Sequence, residues 1–247
     1  LALRVGHGAG DFNRFSKQVL ISSFAMSRRE EAKAERRRRI VSAARDLIRE
    51  TGDIGLSMRA IAARAEVSLS TPYNLFGSKR AIVVAVLEDI REFHERFARL
   101  KGVGATERLF QALAISLDYY VEDPSFYRTL WTGVFDMSGK EALIDLATPE
   151  RSAFWLALLN AMGEEGDLAP GVDRDLLRQA LDMAFAGVML SWVLGTLEPE
   201  ELLPAAGFGY ALALRGAASA AGEARLAEKV AHYQDRMQRL RQASQAA

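Results

Sequence analysis

Three closely spaced serines, Ser57, Ser68 and Ser78, each precede a short run whose apolar residues recur at helical spacing. That punctuation constrains the fold more than any other feature of the chain. A serine hydroxyl just ahead of a helix accepts a backbone N–H that the helix leaves unpaired, so each such serine marks a start. Ser57 opens a helix with Met58, Ile61, Ala62 and Ala65 on one face. Glu66, Val67 and Ser68 make a tight connection, and Ser68 can cap a helix through Leu69–Phe76 that Gly77 stops. Ser78 caps a fourth, where Ile82, Val83, Val86, Leu87, Ile90, Phe93 and Phe97 keep a helical spacing long enough to link one domain to the next. Ahead of them Ile40, Ala44, Leu47 and Ile48 form the stripe of an amphipathic helix ending near Gly52, entered through Arg28, Arg29, Lys33 and Arg36 to Arg39.

Beyond Gly104 the pattern stays helical: Thr106–Val121, Pro124–Met137 behind Asp123, and Thr148–Met162 with Pro149 in the first turn. The segment Asp173–Leu197 is apolar around most of its circumference and needs cover on nearly every side, from a deep core or from a helical dimer interface. Leu202–Ala221 is similar. Leu226, Val230, Tyr233, Met237 and Leu240 have coiled-coil spacing over too short a length, so that helix is expected to dock against the body. No segment alternates as a strand does, and the expected fold is all-α in two parts, residues 26–80 and 81–247. Residues 1–25 mix glycines with unpatterned apolar residues and are expected to be a non-native or disordered extension ahead of a start at Met26.

The 247 residues contain no cysteine, which removes disulfides, thiolate metal sites and cysteine nucleophiles. His7, His94 and His232 have no metal-binding spacing, so no metal is expected. The longest apolar stretch, Ala184–Leu197, is too short for a membrane span and is broken by Ser191 and Gly195; a cytoplasmic protein with no membrane partner is expected. The formal net charge is zero, yet residues 26–80 carry 13 Lys/Arg against 7 Asp/Glu and residues 81–247 carry 16 against 24. A basic end joined to an acidic remainder points to nucleic acid at one end and a different task at the other, or to basic runs that are merely solvated.

The segment LSMRAIAARAEVSLSTPYNLFGSKRAI, Leu56 to Ile82, resembles the helix-turn-helix DNA-binding domain of the TetR family of bacterial transcriptional regulators. The resemblance runs from Ile40 to Ile82; beyond that only length and helical character are similar. It implies an N-terminal helix-turn-helix domain, a larger helical domain for effector binding and dimerisation, and double-stranded DNA as partner. A helix-turn-helix lays its second helix in the major groove. Leu69, Ser70, Thr71 and Asn74 are then the candidate base readers, because Asn pairs bidentately with adenine and Leu or the Thr methyl touches thymine. Ser57, Tyr73 and Lys79 are candidate phosphate contacts, and Arg59 fits either role. Ile61, Ala65, Val67 and Phe76 are core. Pro72 departs from the family pattern, where an aliphatic residue is common, and leaves open whether Ser68 or Ser70 is the cap. The arginine run at the entrance of the first helix suits the minor groove, phosphates or solvent equally.

In the second domain Tyr127, Trp131, Phe135, Trp155, Phe185 and Met189 are the candidate lining of an effector pocket, although aromatics at helical spacing are more often core. The resemblance implies a small effector, and this lining suggests an apolar or aromatic one with one or two polar anchors from residues such as Tyr127, Arg128, Asp136 or Asp182. No Ser-His-Asp order or Gly-rich phosphate loop supports catalysis, and no catalytic residue or cofactor is expected. The expected activity is a ligand-responsive regulator, leaning to repression, that binds a pseudo-palindromic operator as a homodimer. The alternative is a DNA-bound scaffold that recruits a protein and senses nothing.

Overall fold

A computed structural model describes residues 28–89, 93–100, 102–135 and 148–246. Residues 1–25 and Met26, Ile90 of the connector, and Asp136 and Met137 lie outside those described. The described residues form eleven α-helices, with one isolated antiparallel bridge between Leu168 and Ala218 and no strand.

Helix α1 spans Arg28–Thr51, exposed at first and buried from Ile40 onward through Val41, Ala44 and Ile48. Helices α2 (Met58–Arg64), α3 (Ser70–Phe76) and α4 (Lys79–Glu88) follow. Two of the three serines act as expected: Ser57 Oγ accepts from Ala60 N and Ser78 Oγ accepts from Ala81 N, both at 3.1 Å. Ser68 does not cap with its side chain, nor does Ser70. The residue ahead of α3 is Leu69, without a side-chain cap, and Ser68 Oγ lies 2.8 Å from Thr71 Oγ1 instead. Pro72 is buried in the first turn of α3, where a missing N–H leaves no helical bond unmade.

The long connector is divided. Helix α4 stops at Glu88, and a separate helix α5 covers Phe93–Ala98. Where α4 ends, the nearly buried Arg45 of α1 bonds the Asp89 carboxylate at 2.5 Å and the Asp89 carbonyl at 3.0 Å.

The larger part contains α6 (Ala105–Glu122), α7 (Pro124–Phe135), α8 (Pro149–Glu164), α9 (Arg174–Val193), α10 (Leu202–Gly216) and α11 (Glu223–Ala246). Helix α4 packs on α1 and on α7, and Ile54 of the α1–α2 loop fills the bare face of Gly133 on α7. The expected Asp173–Leu197 helix ends earlier, at Val193, with Gly195 in the left-handed region at φ +74°. The expected Leu202–Ala221 helix ends at Gly216, because the chain beyond it pairs with residues 167–169 through Ala169 N to Ala217 O and Ser219 N to Asp167 O. Helix α11 docks on α10 through Leu226 and Tyr233.

Helix α9 is not covered all round: Leu176, Met183, Leu190 and Leu194 are exposed. By length and mean hydropathy, 1.2, α9 alone among the described helices could cross a membrane. Its Arg178 is bonded to Asp175 and Asp182, and it packs against α7, α8 and α10, as a helix of a folded helical body does.

Two glycines of α10 separate packing from propensity. A Cβ on Gly207 would lie 2.5 Å from the buried ring of Tyr233, whereas one on Gly209 would meet Ala184 Cβ at an ordinary 3.8 Å. Gly207→Ala is expected to destabilise by about 1–3 kcal/mol and Gly209→Ala to stabilise by about 0.5–1 kcal/mol, read from urea unfolding.

Candidate functional site

A tight turn joins α2 to α3. Its tightness places Glu66 at φ +53°, a conformation that costs a residue with a side chain about 1–2 kcal/mol. Arg39 of α1 offsets that strain: its guanidinium donates to the carbonyls of Ala65 and Glu66 and lies 3.6 Å from the Glu66 carboxylate. Arg37 does the same for α3, donating to the Leu75 carbonyl at the helix C-terminus with its guanidinium 4.1 Å from the centre of the Phe76 ring. Two members of the arginine run are thus clamps of the turn and of α3, and the reading of the whole run as a DNA arm or solvated tail is corrected for both. Arg38 pairs with Glu35 on the surface, while Arg28, Arg29 and Arg36 are exposed. Arg64 ends α2 with a two-point pair to Glu50, at 2.8 and 2.7 Å, which holds the Glu50 carboxyl below its ordinary pKa.

With its C-terminal end and the preceding turn held from α1, α3 turns one face outward. Leu69 and Tyr73 are each 52% exposed, Ser70 and Asn74 are exposed, and Thr71 is half-buried beside them. An exposed leucine and tyrosine one helical turn apart, with an asparagine adjoining, form a surface that the fold leaves free. Ser57 and Arg59 are exposed at the start of α2, and Lys79 is half-buried at the start of α4. The eight residues expected to touch DNA therefore lie on three consecutive helix segments of one small unit. Ile61 and Ala65 are buried, and Val67 and Phe76 are partly buried against the core.

The expected effector-pocket residues fall in the interior of the larger part. Trp131, Trp155, Phe185 and Met189 are buried; Tyr127 and Phe135 are half-buried. Trp131 stacks on Phe135 with ring centres 5.5 Å apart and lies 5.9 Å from Phe185. Trp155 meets Tyr210 edge-on at 6.2 Å. Tyr127 lies 4.7 Å from Tyr120, and burial pushes its phenol up to about 12. Glu88 and Arg151 reach the same region unannounced by the sequence reading. Glu88 accepts from Thr148 N at 3.0 Å, and burial raises its carboxyl pKa, partly offset by that bond and by Arg151. Of the expected polar anchors Asp182 is bonded to Arg178, and burial raises its carboxyl pKa. Arg128 lines a different place, an open cleft of about 640 Å³ between Asp53 and Ile54 of the α1–α2 loop, Thr129 and Thr132 of α7, and Glu198. Among the described residues no group of three or more His, Asp or Glu is arranged to hold a metal ion.

Residues 40–86 match the family model described as bacterial regulatory proteins, tetR family. No curated protein matches the chain. Among solved structures the chain is similar to TylP, a TetR regulator from Streptomyces fradiae, at 21% identity and TM-score 0.54, over 83% of this chain and 98% of that one. It is also similar to the R. erythropolis transcriptional repressor QsdR of the TetR family, at 18% identity and TM-score 0.52, over 72% of this chain and 94% of that one. At such identity the likeness shows the fold: an N-terminal helix-turn-helix domain followed by a larger helical domain.

Proposed function

We propose that this chain, which carries the TetR-family N-terminal domain at residues 40–86, is a ligand-responsive transcriptional regulator that binds a pseudo-palindromic operator as a homodimer, most simply as a repressor. The observation that carries the reading is the outward face of α3, where Leu69, Ser70, Tyr73 and Asn74 are exposed on a helix whose C-terminal end, and the turn that leads into it, are clamped from α1. In this reading residues 26–80 contact DNA: Leu69, Ser70, Thr71 and Asn74 read bases, Ser57, Tyr73 and Lys79 hold phosphates, and Arg59 serves either role. Residues 81–247 bind the effector and the second subunit. The chain performs no chemistry of its own and works in the cytoplasm.

Dimerisation is supported by the apolar face of α9 and by Leu212 of α10, 46% exposed, which together need a covering surface in water. Effector sensing is supported by the coupling of the two parts, since Arg45 grips the end of α4 at Asp89 and Glu88 bonds the start of α8. A ligand that favours one arrangement of α8 then shifts the spacing of the two α3 helices in the dimer.

Selection of bound duplexes from a random library tests this function. The expected result is an inverted repeat with half-site centres about one DNA turn, ~34–36 Å, or more apart. Enrichment of single half-sites, or no enrichment, contradicts it.

A further inference from the structure

We propose that the open cleft beside Arg128 is a second ligand site, separate from the aromatic interior, and that it takes a zwitterion: an amino acid or short peptide with a free carboxylate and a free primary ammonium. The cleft, about 640 Å³, has the size of a small-molecule site. One side is the loop after α1, with Gly52, Asp53 and Ile54, and another is α7, with Arg128; Glu198 of the α9–α10 connection also lines it.

Arg128 is the one cation of the lining, and it has no ion pair among the described residues. Its guanidinium packs over Trp192, 5.4 Å from the ring centre, and its Nε is buried without a hydrogen-bond partner. Stacking holds a guanidinium by its face, which leaves the N–H groups on its edge for a planar acceptor. The neighbouring Thr129 and Thr132 hydroxyls donate to the Ser125 and Arg128 carbonyls, so their protons are committed. Asp53 accepts from Gly55 N at 2.7 Å through Oδ1, and Glu198 accepts from the backbone of the turn it caps, Pro199–Glu201. Neither carboxylate has an ion pair among the described residues.

Opposite charges around one cleft, none of them paired to another, select a ligand by sign. A plain anion at Arg128 faces two carboxylates, and a plain amine faces a guanidinium. A molecule with a carboxylate at one end and an ammonium at the other meets both, and each charge that leaves water gains a charged hydrogen-bond partner. Ile54, Pro124 and Pro199 give the chain between them an apolar wall.

The placement also connects this site to DNA. Asp53 lies just ahead of Ser57, the cap of α2, and Ile54 fills the bare face of Gly133 on α7. A ligand that ties Asp53 to Arg128 holds the start of α2 against α7; this consequence rests on the DNA-binding reading above.

Isothermal titration calorimetry and thermal unfolding of the full chain test the proposal with L-leucine, L-phenylalanine, Gly-Leu and Ala-Phe, each beside its C-terminal amide and its N-acetyl form. At least one free zwitterion is expected to bind and, at about tenfold excess over Kd, to raise Tm by about 3–6 °C. Each blocked form binds about tenfold more weakly, or weaker still. Asp53→Asn keeps the acceptor for Gly55 N, so the ligand-free Tm stays at the wild-type value, while affinity for the zwitterion falls about tenfold and that for the N-acetyl form is unchanged. Arg128→Gln weakens the zwitterion in the same way and leaves the amide unaffected. The proposal is overturned by no response to any zwitterion, by a blocked form that binds as well as its parent, or by unchanged zwitterion affinity in either variant. Binding of the selected duplex is measured with and without the ligand. A change of about fivefold or more in duplex affinity is expected, and an unchanged affinity contradicts the connection to DNA. A zwitterion response from a chain that selects no duplex ends the regulator reading alone.

Discussion

Met183→Glu is expected to turn a tight operator-binding dimer into a monomer that binds operator about 10²–10⁴-fold more weakly. Leu176 (62% exposed), Met183 (69%), Leu190 (40%) and Leu194 (69%) are spaced seven, seven and four residues apart, which aligns them along one face of α9. Gly187 sits between them with open space above it, so a second helix can approach closely. A carboxylate at the centre of that face costs little in the monomer, where position 183 is in water. In the dimer it is desolvated without a partner. The mutant should keep the wild-type circular dichroism and sediment as a monomer at micromolar concentration. Avidity is lost with it, since each α3 then engages one half-site alone. A mutant that remains dimeric places the interface elsewhere.

Gly222→Ala is expected to cost about 3 kcal/mol, the upper part of the usual range for overpacking, and to lower Tm by about 6–12 °C. A Cβ there would stand 2.1 Å from the carbonyl oxygen of Asp167, and backbone yields less than the end of a side chain. The carbonyl cannot retreat cheaply. It accepts from Ser219 N at 2.9 Å, while Asp167 N donates to Met162 O at 2.8 Å. The buried Asp167 carboxylate accepts from Thr106 Oγ1 at 2.5 Å and from Arg225. Shifting it disturbs contacts that join α6, α8 and α11. Calorimetry of wild type and mutant measures the difference, and a Tm within a degree of wild type would show that the α10–α11 turn rearranges freely.

Local chemistry was legible in the sequence, and long-range chemistry was not. Ser57 and Ser78 cap as expected because an N-cap needs only its own helix. Ser68 does not cap: α3 starts one residue later, and its Oγ meets the hydroxyls of Ser70 and Thr71 instead. The connector reads as one helix because its apolar spacing continues past Glu88. The side chain that bonds the chain where α4 ends belongs to an arginine 44 residues earlier. Arg37 and Arg39 read as part of a run suited to DNA or to solvent, and their positions beside the buried stripe that starts at Ile40 were the available signal. For α9, apolar residues all round fit a buried helix and a dimer helix equally, and only exposure in the folded chain distinguishes its open face. Aromatic spacing located Trp131 and Phe185 but not Arg151, since an arginine in a first turn ordinarily points to solvent.

The central claim, sequence-specific DNA recognition by α3, is tested most directly by fluorescence anisotropy on the selected duplex and a scrambled one, across a salt series, for wild type, Asn74→Ala and Lys79→Ala. Asn74→Ala should lose about 1–3 kcal/mol on the selected duplex and far less on the scrambled one. Lys79→Ala should weaken both alike and make the salt slope shallower by about one ion per subunit. Equal losses on both duplexes for both variants, with folding unchanged, would contradict the assignment of α3 as the helix that reads bases.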